Sequence, residues 1–394
     1  TETDAIRYED NILDHMVVMD RSGSMLQPTS FPRIDAAKNA ASIVVDAESS
    51  KSQMGVVSFG GDNIETNNDA TVNAQLKAVT EAYRNAVKGA IASISIPSGR
   101  VLTSIGDGLN EAIDEFNVRG TPVGKNVITL LSDGMENEAD FVSAVTPRLV
   151  NRGVEVHAIA LGPWADQPLL SELAADTGGT YSYVDVGTTA PRIFADVTMS
   201  HLAASLPTSL PMQLHLASAY LAAYESANQL ERLEESWGSM VAGRQSIDWV
   251  VTESQVTDGR VTLAWSNPAT TVSISVYENG VQLQHKVGGV SIYEGATHFE
   301  VQIPQLSKGG LNIKIESDKA QDFYAALSGR PIYGANLTVA FDQIFDKRDR
   351  RIFRYGNPVR IVAMLSQAGQ AIGRASLRAS VSHPKGDVDV LPLF

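Results

Sequence analysis

The stretch His15-Met16-Val17-Val18-Met19-Asp20-Arg21-Ser22-Gly23-Ser24 decides the fold. Residues 15–19 predict a buried strand that stops at Asp20. An unbroken run, without alternation of polar and apolar residues, is typical of a strand covered on both faces. The Asp-x-Ser-x-Ser pattern that follows places oxygen-bearing side chains where the chain leaves this strand.

The pattern of residues 15–19 recurs along the first half of the chain. Further apolar strands are predicted at 54–59, 126–131, 154–161 and 180–183. Helices are predicted at 34–46, around 76–91, and at 104–116, 138–151, 168–176 and 190–204. Strand–helix alternation with continuous apolar strands predicts a mainly parallel sheet covered on both faces. We therefore expect a doubly wound, Rossmann-like α/β domain over residues 1–205.

The second half of the chain has a different pattern. Prolines 207 and 211 precede a predicted helix at 212–237, and we interpret 206–243 as a helical linker that packs on its neighbours, with a partner-binding helix as the alternative. From residue 246 the hydrophobic period becomes two, and Asn279-Gly280 predicts a hairpin turn. An antiparallel β-sandwich, immunoglobulin- or fibronectin-like, is expected at 244–330, and a partial second module at 331–394.

The composition and net charge of the chain argue against some classes of partner. Of the 394 residues, 43% are hydrophobic and 19% charged, which is a globular balance. A formal net charge of −14 argues against nucleic acid or an anionic membrane as the partner. No apolar run approaches the roughly 20 residues that span a bilayer, so we expect no membrane insertion. The chain has no cysteine, which excludes disulfides and thiolate metal sites. It begins at Thr1 without an initiator Met, and we interpret it as a processed or excised fragment.

Three predicted loops carry the informative side chains. Asp20, Ser22 and Ser24 follow the first strand, Thr103 precedes a helix, and Asp133 follows the strand at 126–131. All three loops are expected at the carboxyl edge of the sheet, where open α/β sheets bind ligands. Taken singly, the Asp-x-Ser-x-Ser pattern also fits a helix-entry turn, Thr103 an N-cap, and Asp133 a simple turn.

Together these residue types suit a hard cation. Mg²⁺ prefers octahedral oxygen coordination and retains water. The hydroxyls of Ser22, Ser24 and Thr103 are weak neutral donors, and Asp20 and Asp133 supply charge. Such a metal stays electrophilic, so an Asp or Glu carboxylate of a protein partner can complete its coordination. We predict a Mg²⁺ site, with Mn²⁺ and Ca²⁺ as alternatives.

The same five residues resemble the metal-ion-dependent adhesion site of von Willebrand factor A domains. Leu161-Gly162 and Thr177-Gly178-Gly179-Thr180-Tyr181 are similar to later segments of that family. The resemblance implies an adhesion or protein-interaction module at the cell surface or outside the cell, with the bacterial periplasm as an alternative. The residues after Ser24, Met25-Leu26-Gln27, lack the paired acids of an adjacent Ca²⁺ site, which leaves one metal.

A narrower resemblance is to the calcium-activated chloride channel regulator family and its bacterial relatives. It rests on residues 102–105 and 131–137, on the helix predicted at 190–204, and on the sequel from Glu235 to Trp265. In that family an A domain precedes a β-rich domain and a fibronectin-like module. Animal members also carry a zinc protease domain, but this chain has no His-Glu-x-x-His.

No motif for catalysis is apparent. The seven histidines show no zinc-ligand spacing, and His157 is interpreted as structural. No nucleophile elbow or phosphate loop occurs. The basic run at 347–354 is interpreted as a solvated loop, with a patch for an acidic partner as the alternative. We therefore expect a protein that is not an enzyme.

Three hypotheses remain open from the sequence. The first is an adhesion module whose cation binds a partner carboxylate. The second is a non-catalytic accessory segment of a larger surface protease or ATPase-linked complex, and the third is an A domain whose metal site is seldom occupied. A shift of the helix at 190–204 on ligand binding is expected to reach residues 212–237.

Overall fold

The computed structural model describes residues 12–27, 32–61, 68–97, 102–184, 206 and 210–331, and farther on the backbone of seven short strands. The first sheet contains six strands: β1 (Leu13–Asp20), β2 (Gln53–Phe59), β3 (Ala70–Ala78), β4 (Lys125–Ser132), β5 (Glu155–Leu161) and β6 (Tyr181–Val184). Their order is β3-β2-β1-β4-β5-β6. All neighbours are parallel except the edge strand β3, which is antiparallel to β2. The expected mainly parallel sheet is confirmed.

Helices cover both faces of this sheet. They are α1 (Arg33–Ala47), α2 (Glu81–Ser93), α3 (Ile105–Arg119), α4 (Val142–Arg152), α5 (Gln167–Thr177) and α6 (Met212–Asn228), with a 3-10 turn at Gly23–Leu26. The alternating side chains of β1 explain this arrangement. Val17 and Met19 lie in a core with α1, α2 and α6, whereas Met16 and Val18 lie in a core with α3, α4 and α5. Both faces of β1 are therefore buried, as the unbroken apolar run predicts.

Two predictions of secondary structure are wrong at their boundaries. The helix predicted around 76–91 begins only at Glu81, because residues 70–78 form β3. The helix predicted at 212–237 ends at Asn228, where Gln229 adopts the left-handed conformation, and Glu231–Met240 is a strand. The helix predicted at 190–204 lies outside the described residues.

A seven-stranded antiparallel sheet follows α6. Its strands are β7 (Glu231–Met240), β8 (Gly243–Trp265), β9 (Val272–Glu278), β10 (Val281–Gln282), β11 (Ser291–Glu294), β12 (His298–Ser317) and β13 (Gln321–Pro331). The order is β10-β9-β12-β8-β13-β7, with β11 paired to β12. The predicted Asn279-Gly280 hairpin is present between β9 and β10, with positive φ at both turn residues.

The long strands β8 and β12 each contribute to two parts of one core. Trp249 and Leu311 pair near one end of these strands, and Val261 and Val301 pair near the other. All four side chains belong to a single buried cluster. A second, antiparallel β unit is thus present, while its immunoglobulin- or fibronectin-like identity stays a prediction.

Seven short strands follow: β14 (Asn336–Phe341), β15 (Ile344–Phe345), β16 (Arg351–Ile352), β17 (Ile361–Gln367), β18 (Gln370–Ala371), β19 (Leu377–Ser382) and β20 (Val388–Leu393). They form three small antiparallel sheets: β14-β17-β18, β15-β16 and β19-β20. The expected partial second module at 331–394, like the other domain boundaries, stays a prediction. Most of the basic run at 347–354 lies outside the described residues.

We call the first sheet with its helices the N-terminal domain and the seven-stranded sheet the β-domain. The two share an apolar interface in which Ile43 of α1 and Leu214 and Leu221 of α6 pack with Tyr324 and Ala326 of β13. Because α6 lies between the two sheets, it contributes to both. Among the described residues, no helix is long and apolar enough to cross a bilayer.

Candidate functional site

The strand order brings two of the three predicted loops together. β1 and β4 are adjacent and parallel, with Met19 paired to Leu131. One residue farther along, Asp20 and Ser132 end their strands side by side. The loops that carry Asp20 and Asp133 therefore leave the sheet at the same point of its carboxyl edge, which is the usual ligand-binding edge of such sheets.

The Asp20 carboxylate is completely buried and accepts hydrogen bonds from the chain on both sides. Ser22 N donates to Asp20 Oδ1 over 2.7 Å, and Ser132 Oγ donates to Asp20 Oδ2 over 2.7 Å. Burial, followed by the nearby charge of Asp133, raises the pKa of Asp20 to about 7. The carboxylate is thus held rigidly but is poorly compensated electrostatically.

Asp133 links the hydroxyls of the first loop to helix α1. Ser24 Oγ donates to Asp133 Oδ1 over 2.6 Å, and Ser22 Oγ lies 3.0 Å from Ser24 Oγ. On the other carboxylate oxygen, Arg33 Nη1 donates to Asp133 Oδ2 over 2.6 Å in a buried ion pair. Burial raises the pKa of Asp133, while Ser24 and Arg33 act in the opposite direction. Hydroxyls and carboxylates from two loops thus form one connected group.

Thr103 reaches the same place from the third loop. Its N–H donates to Asn137 Oδ1 over 2.8 Å, and Asn137 N donates to the Thr103 carbonyl over 3.1 Å. A Cβ atom placed on Gly134 would lie 2.9 Å from Thr103 Oγ1 and 3.8 Å from Ser24 Oγ. The missing side chain at Gly134 therefore leaves room for both hydroxyls beside the β4 loop. The structure brings all five predicted residues to one location.

Glu136 fixes the loop that follows Asp133. Its carboxylate accepts hydrogen bonds from Gly106 N over 3.2 Å and from Val142 N over 3.0 Å, near the first turns of α3 and α4. Such backbone donors lack partners within their own helices. Burial raises the pKa of Glu136 to about 7. The residue is thus a structural acid that holds together two helices that begin at the site.

The sequence interpretation missed Arg33 and gave Ser132 no role. A signal for Arg33 existed, because it is the first residue of α1. The amino end of a helix carries partial positive charge and favours acidic residues, so an arginine there is unfavourable unless an anion lies nearby. That anion is Asp133. For Ser132, only the pairing of β1 with β4 reveals its bond to Asp20.

The donor set fits a hard divalent cation. It consists of two carboxylates and three hydroxyls, all of them oxygens, which is the chemistry that Mg²⁺ and Ca²⁺ prefer. Among the residues that the structure describes, two buried carboxylates face one fixed cation, Arg33, so one negative charge there lacks a counter-charge when both are ionised. Buried charges are ordinarily paired or bound to metal. Assignment of Asp20, Ser22, Ser24, Thr103 and Asp133 as ligands stays a prediction.

Comparison with known proteins gives one match within the first domain. The family model of the von Willebrand factor type A domain matches residues 15–136. Calcium-activated chloride channel regulator 1 of Sus scrofa is 29% identical over 167 residues, which cover 42% of this chain and 16% of the relative. The chain thus spans about a sixth of the length of that curated relative.

Solved structures resemble the chain at low sequence identity. A von Willebrand factor type A protein from Catenulispora acidiphila has a TM-score of 0.41 and 15% identity over 92% of this chain and 64% of its own. Proximal thread matrix protein 1 from the mussel byssus, with a zinc-occupied MIDAS motif, has a TM-score of 0.42 and 18% identity over 59% and 50%. The pilus adhesin SpaC from Lactobacillus rhamnosus GG has a TM-score of 0.41 and 11% identity over 98% and 57%.

Domains of the matched family generally serve as non-catalytic interaction modules, often with a metal. The family match covers residues 15–136 and, together with the mixed α/β sheet, supports a von Willebrand factor type A domain in this part of the chain.

Proposed function

We propose that the N-terminal domain binds one divalent cation, and that this cation holds an Asp or Glu carboxylate of a protein partner. The cation is Mg²⁺, with Mn²⁺ and Ca²⁺ as alternatives. Its ligands are Asp20, Ser22, Ser24, Thr103 and Asp133. The chain thereby acts as a metal-dependent adhesion or interaction module, at the cell surface or outside the cell.

One observation carries this proposal: two buried carboxylates share a hydroxyl-lined location with a single arginine. Asp133 is neutralised by Arg33 at 2.6 Å, but within the described part of the chain Asp20 accepts hydrogen bonds from neutral donors, Ser22 N and Ser132 Oγ. A purely structural site would be expected to compensate both charges, because uncompensated buried carboxylates destabilise a fold. A bound divalent cation removes this penalty when it arrives.

The hydroxyls explain why such a cation would also attract a partner. Ser22, Ser24 and Thr103 add no charge to the site, so the metal remains short of strong donors. An incoming carboxylate supplies that charge. The surrounding chain holds the donors in place, since Asp20 is fixed by Ser22 N and Ser132 Oγ, and Thr103 by Asn137.

Metal titration of the whole chain tests the first half of the proposal. We expect calorimetry to show binding of one Mg²⁺ or Mn²⁺ to the wild-type chain, and Asp133→Ala to weaken it by at least about 100-fold, the upper end of effects seen for outer partners of metal ligands. Asp114→Ala is the matched control, because Asp114 is an exposed aspartate on α3 that pairs only with the surface residue Arg148. A crystal soaked in Mn²⁺ without density between Ser22, Ser24 and Thr103 would contradict the proposal.

A pull-down from the native source tests the second half. We expect the wild-type chain to retain a protein partner in Mg²⁺ and to lose it in EDTA. The Asp133→Ala chain should fail to retain it in either buffer, and the Asp114→Ala chain should behave as wild type. Tight partner binding that chelation leaves unchanged would refute metal-dependent adhesion.

A further inference from the structure

Large apolar side chains are unevenly distributed on the surface of the N-terminal domain. Four of them are well exposed and lie on loops at the carboxyl edge of the sheet: Leu26 (47%), Met135 (55%), Phe141 (47%) and Trp164 (72%). The other exposed apolar residues of this domain, within the part of the chain that the structure describes, are the smaller valines 118, 123 and 150. None of these valines lies on that edge, since they belong to α3, the connection to β4, and α4.

Backbone contacts tie these four residues, which we call the apolar rim, to the metal site. Leu26 closes the 3-10 turn that begins at Gly23, and Met135 comes two residues after Asp133. Trp164 lies on the loop after β5, which bonds to the Asp133 loop through Asp166 N and the Gly134 carbonyl at 3.2 Å.

Phe141 flanks the site on the Thr103 side. Its backbone packs against the first turn of α3, because a Cβ atom on Gly106 would lie 3.0 Å from the Phe141 carbonyl carbon. The rim therefore borders the loops that hold the predicted ligands.

The size of these side chains makes solvent exposure unfavourable. Burial of a Leu, Met or Phe side chain against a partner is favourable, because it removes a large apolar surface from water. Isolated exposed apolar residues are common on protein surfaces, but a group of them around a polar centre marks an interaction site. Trp is also the residue type most enriched among those that dominate binding energy at interfaces, and Met and Phe are enriched there as well.

The charge of the chain restricts what can bind to the rim. With a formal net charge of −14, the protein repels strongly acidic partners over a long range. At the proposed metal site, the cation supplies the attraction for a carboxylate. A partner with one carboxylate and apolar neighbours avoids the repulsion and covers the rim, whereas a run of acids meets the repulsion and leaves the rim exposed.

From these observations we infer that the metal site and the apolar rim form one recognition surface. Its partner is a protein segment that presents a single Asp or Glu with large apolar side chains within a few residues of it. This inference rests on the proposed metal-dependent function and adds the chemistry of the partner. In such a complex the cation fixes the position of the segment, and Trp164 and Met135 supply much of the affinity.

A displayed peptide library tests the inference on the whole chain. Each peptide has a central Glu and random residues on both sides, and selection is done in Mg²⁺ and, in parallel, in EDTA. We expect the Mg²⁺-dependent peptides to be enriched in Leu, Ile, Phe, Met or Trp near the Glu. The affinity of one enriched peptide, measured by fluorescence polarisation, should fall about 5–30-fold in Trp164→Ala and in Met135→Ala.

Matched controls separate recognition from folding. Val123→Ala removes an exposed apolar side chain far from the edge and should leave peptide affinity unchanged. Trp164→Phe should restore part of the affinity, and Trp164→Ala should bind Mn²⁺ as the wild-type chain does.

The outcomes distinguish the two proposals. If Mg²⁺-dependent peptides lack apolar neighbours, consist of acidic runs, or bind Trp164→Ala and Met135→Ala as tightly as wild type, the inference is overturned and the proposed function stands. If no peptide binds in a Mg²⁺-dependent manner, the proposed function fails and the inference fails with it.

Discussion

Two groups of buried charge lie at the two ends of helix α1, and they are neutralised differently. At the amino end, Arg33 contacts Asp133 in the candidate metal site. At the carboxyl end, the Asp46 carboxylate lies 2.8 Å from Lys88 Nζ and 2.9 Å from His298 Nε2 of the β-domain. With 15 residues, α1 separates these ends by about 22 Å.

The carboxyl end is closed by the protein itself. Arg260 Nε of β8 donates to the Ala47 carbonyl over 3.2 Å, and Tyr224 OH of α6 donates to the same oxygen over 2.7 Å. Glu300 accepts a hydrogen bond from Thr262, and the positive charge of Arg260 stabilises its ionised form. We call Asp46, Lys88, Arg260, His298 and Glu300 the interface cluster.

The two ends of α1 differ in how many cations the protein supplies for its buried acids. In the interface cluster, two acids face two permanently charged bases and a histidine, and a second domain covers them. In the metal site, two acids face one arginine at an edge of the sheet bordered by exposed side chains. Acids that are matched in number by cations of the protein lie between the two domains, whereas acids that outnumber the nearby cations are available to a ligand.

Loss of Arg260 should produce the largest change in stability. Arg260→Ala removes a buried cation that stabilises the ionised Glu300 carboxyl, and one of the donors to the Ala47 carbonyl. Removal of one partner from a buried ionic network typically costs about 3–5 kcal/mol. We expect the free energy of unfolding, measured by urea denaturation, to fall by that amount.

Arg244→Ala is the control for this measurement. Arg244 is 83% exposed and pairs with Glu316 at 3.1 Å on the surface of the β-domain. Its removal should cost less than about 1 kcal/mol. A loss for Arg260→Ala as small as that of Arg244→Ala would mean that the interface cluster contributes nothing to stability.

Glu300→Gln should change how stability depends on pH. Burial, opposed by Thr262 and Arg260, raises the pKa of Glu300 from 4.5 to about 8. Because the folded-state pKa is the higher one, the stabilisation from proton binding is complete below about pH 4.5 and is lost as the pH rises through 8. Glutamine resembles the protonated carboxyl and does not titrate.

The variant and the wild-type chain should therefore be about equally stable near pH 4.5, and their difference should grow with pH. We expect Glu300→Gln to be more stable by about 2–4 kcal/mol near pH 8, since each unit of pKa shift corresponds to about 1.4 kcal/mol. Urea denaturation at several pH values measures this. Parallel pH profiles for the two chains would show that Glu300 does not titrate in this range.

The sequence was informative about the metal site and uninformative about the interface cluster. Asp20, Ser22 and Ser24 are neighbours in the chain, and the ends of parallel strands bring Asp133 to them. Arg260 and Glu300, in contrast, meet α1 across more than 200 residues of sequence. Their position depends on how the long strands β8 and β12 pack on the first domain, which hydrophobic periodicity does not specify.

In the N-terminal domain, the sequence of residues 70–78 fits both a strand and a helix. β3 carries Val72, Ala74 and Leu76 at a period of two, but Ala, Gln, Leu and Lys are good helix formers and favoured a helix there. Pairing with β2 favours the strand, because the antiparallel neighbour forms hydrogen bonds with the backbone N–H and C=O groups of these residues. Tertiary contacts thus outweighed intrinsic propensity.

Asp20→Asn should have opposite effects on stability and on metal binding. In EDTA, the substitution removes a buried carboxylate next to Asp133 and keeps an oxygen that can accept from Ser22 N. We expect the metal-free variant to be more stable by about 1–2 kcal/mol, as is common when a functional residue is replaced. In Mg²⁺ the wild-type chain should gain about 2.7 kcal/mol at 100 times its dissociation constant, and the variant almost nothing.

Thermal unfolding in EDTA and in Mg²⁺ measures both effects. Asp114→Asn, on the exposed face of α3, should behave as wild type in both buffers. A metal-free Asp20→Asn chain that is less stable than wild type by more than about 1 kcal/mol would show that the carboxylate is already satisfied by its own chain. The acids at both ends of α1 would then be compensated by the protein itself.

Gln302→Ala should have the smallest effect and tests whether the two ends are coupled. Gln302 Nε2 donates to the carbonyls of Asp46, Ala47 and Glu48 at 2.7, 3.1 and 3.2 Å, where α1 has no further helical donors. Its loss should cost about 1 kcal/mol. In the double variant with Asp20→Asn, the two changes in unfolding free energy should add within about 0.5 kcal/mol, because the sites share no contact. A coupling above about 1 kcal/mol would instead show that α1 transmits changes at the metal site to the β-domain.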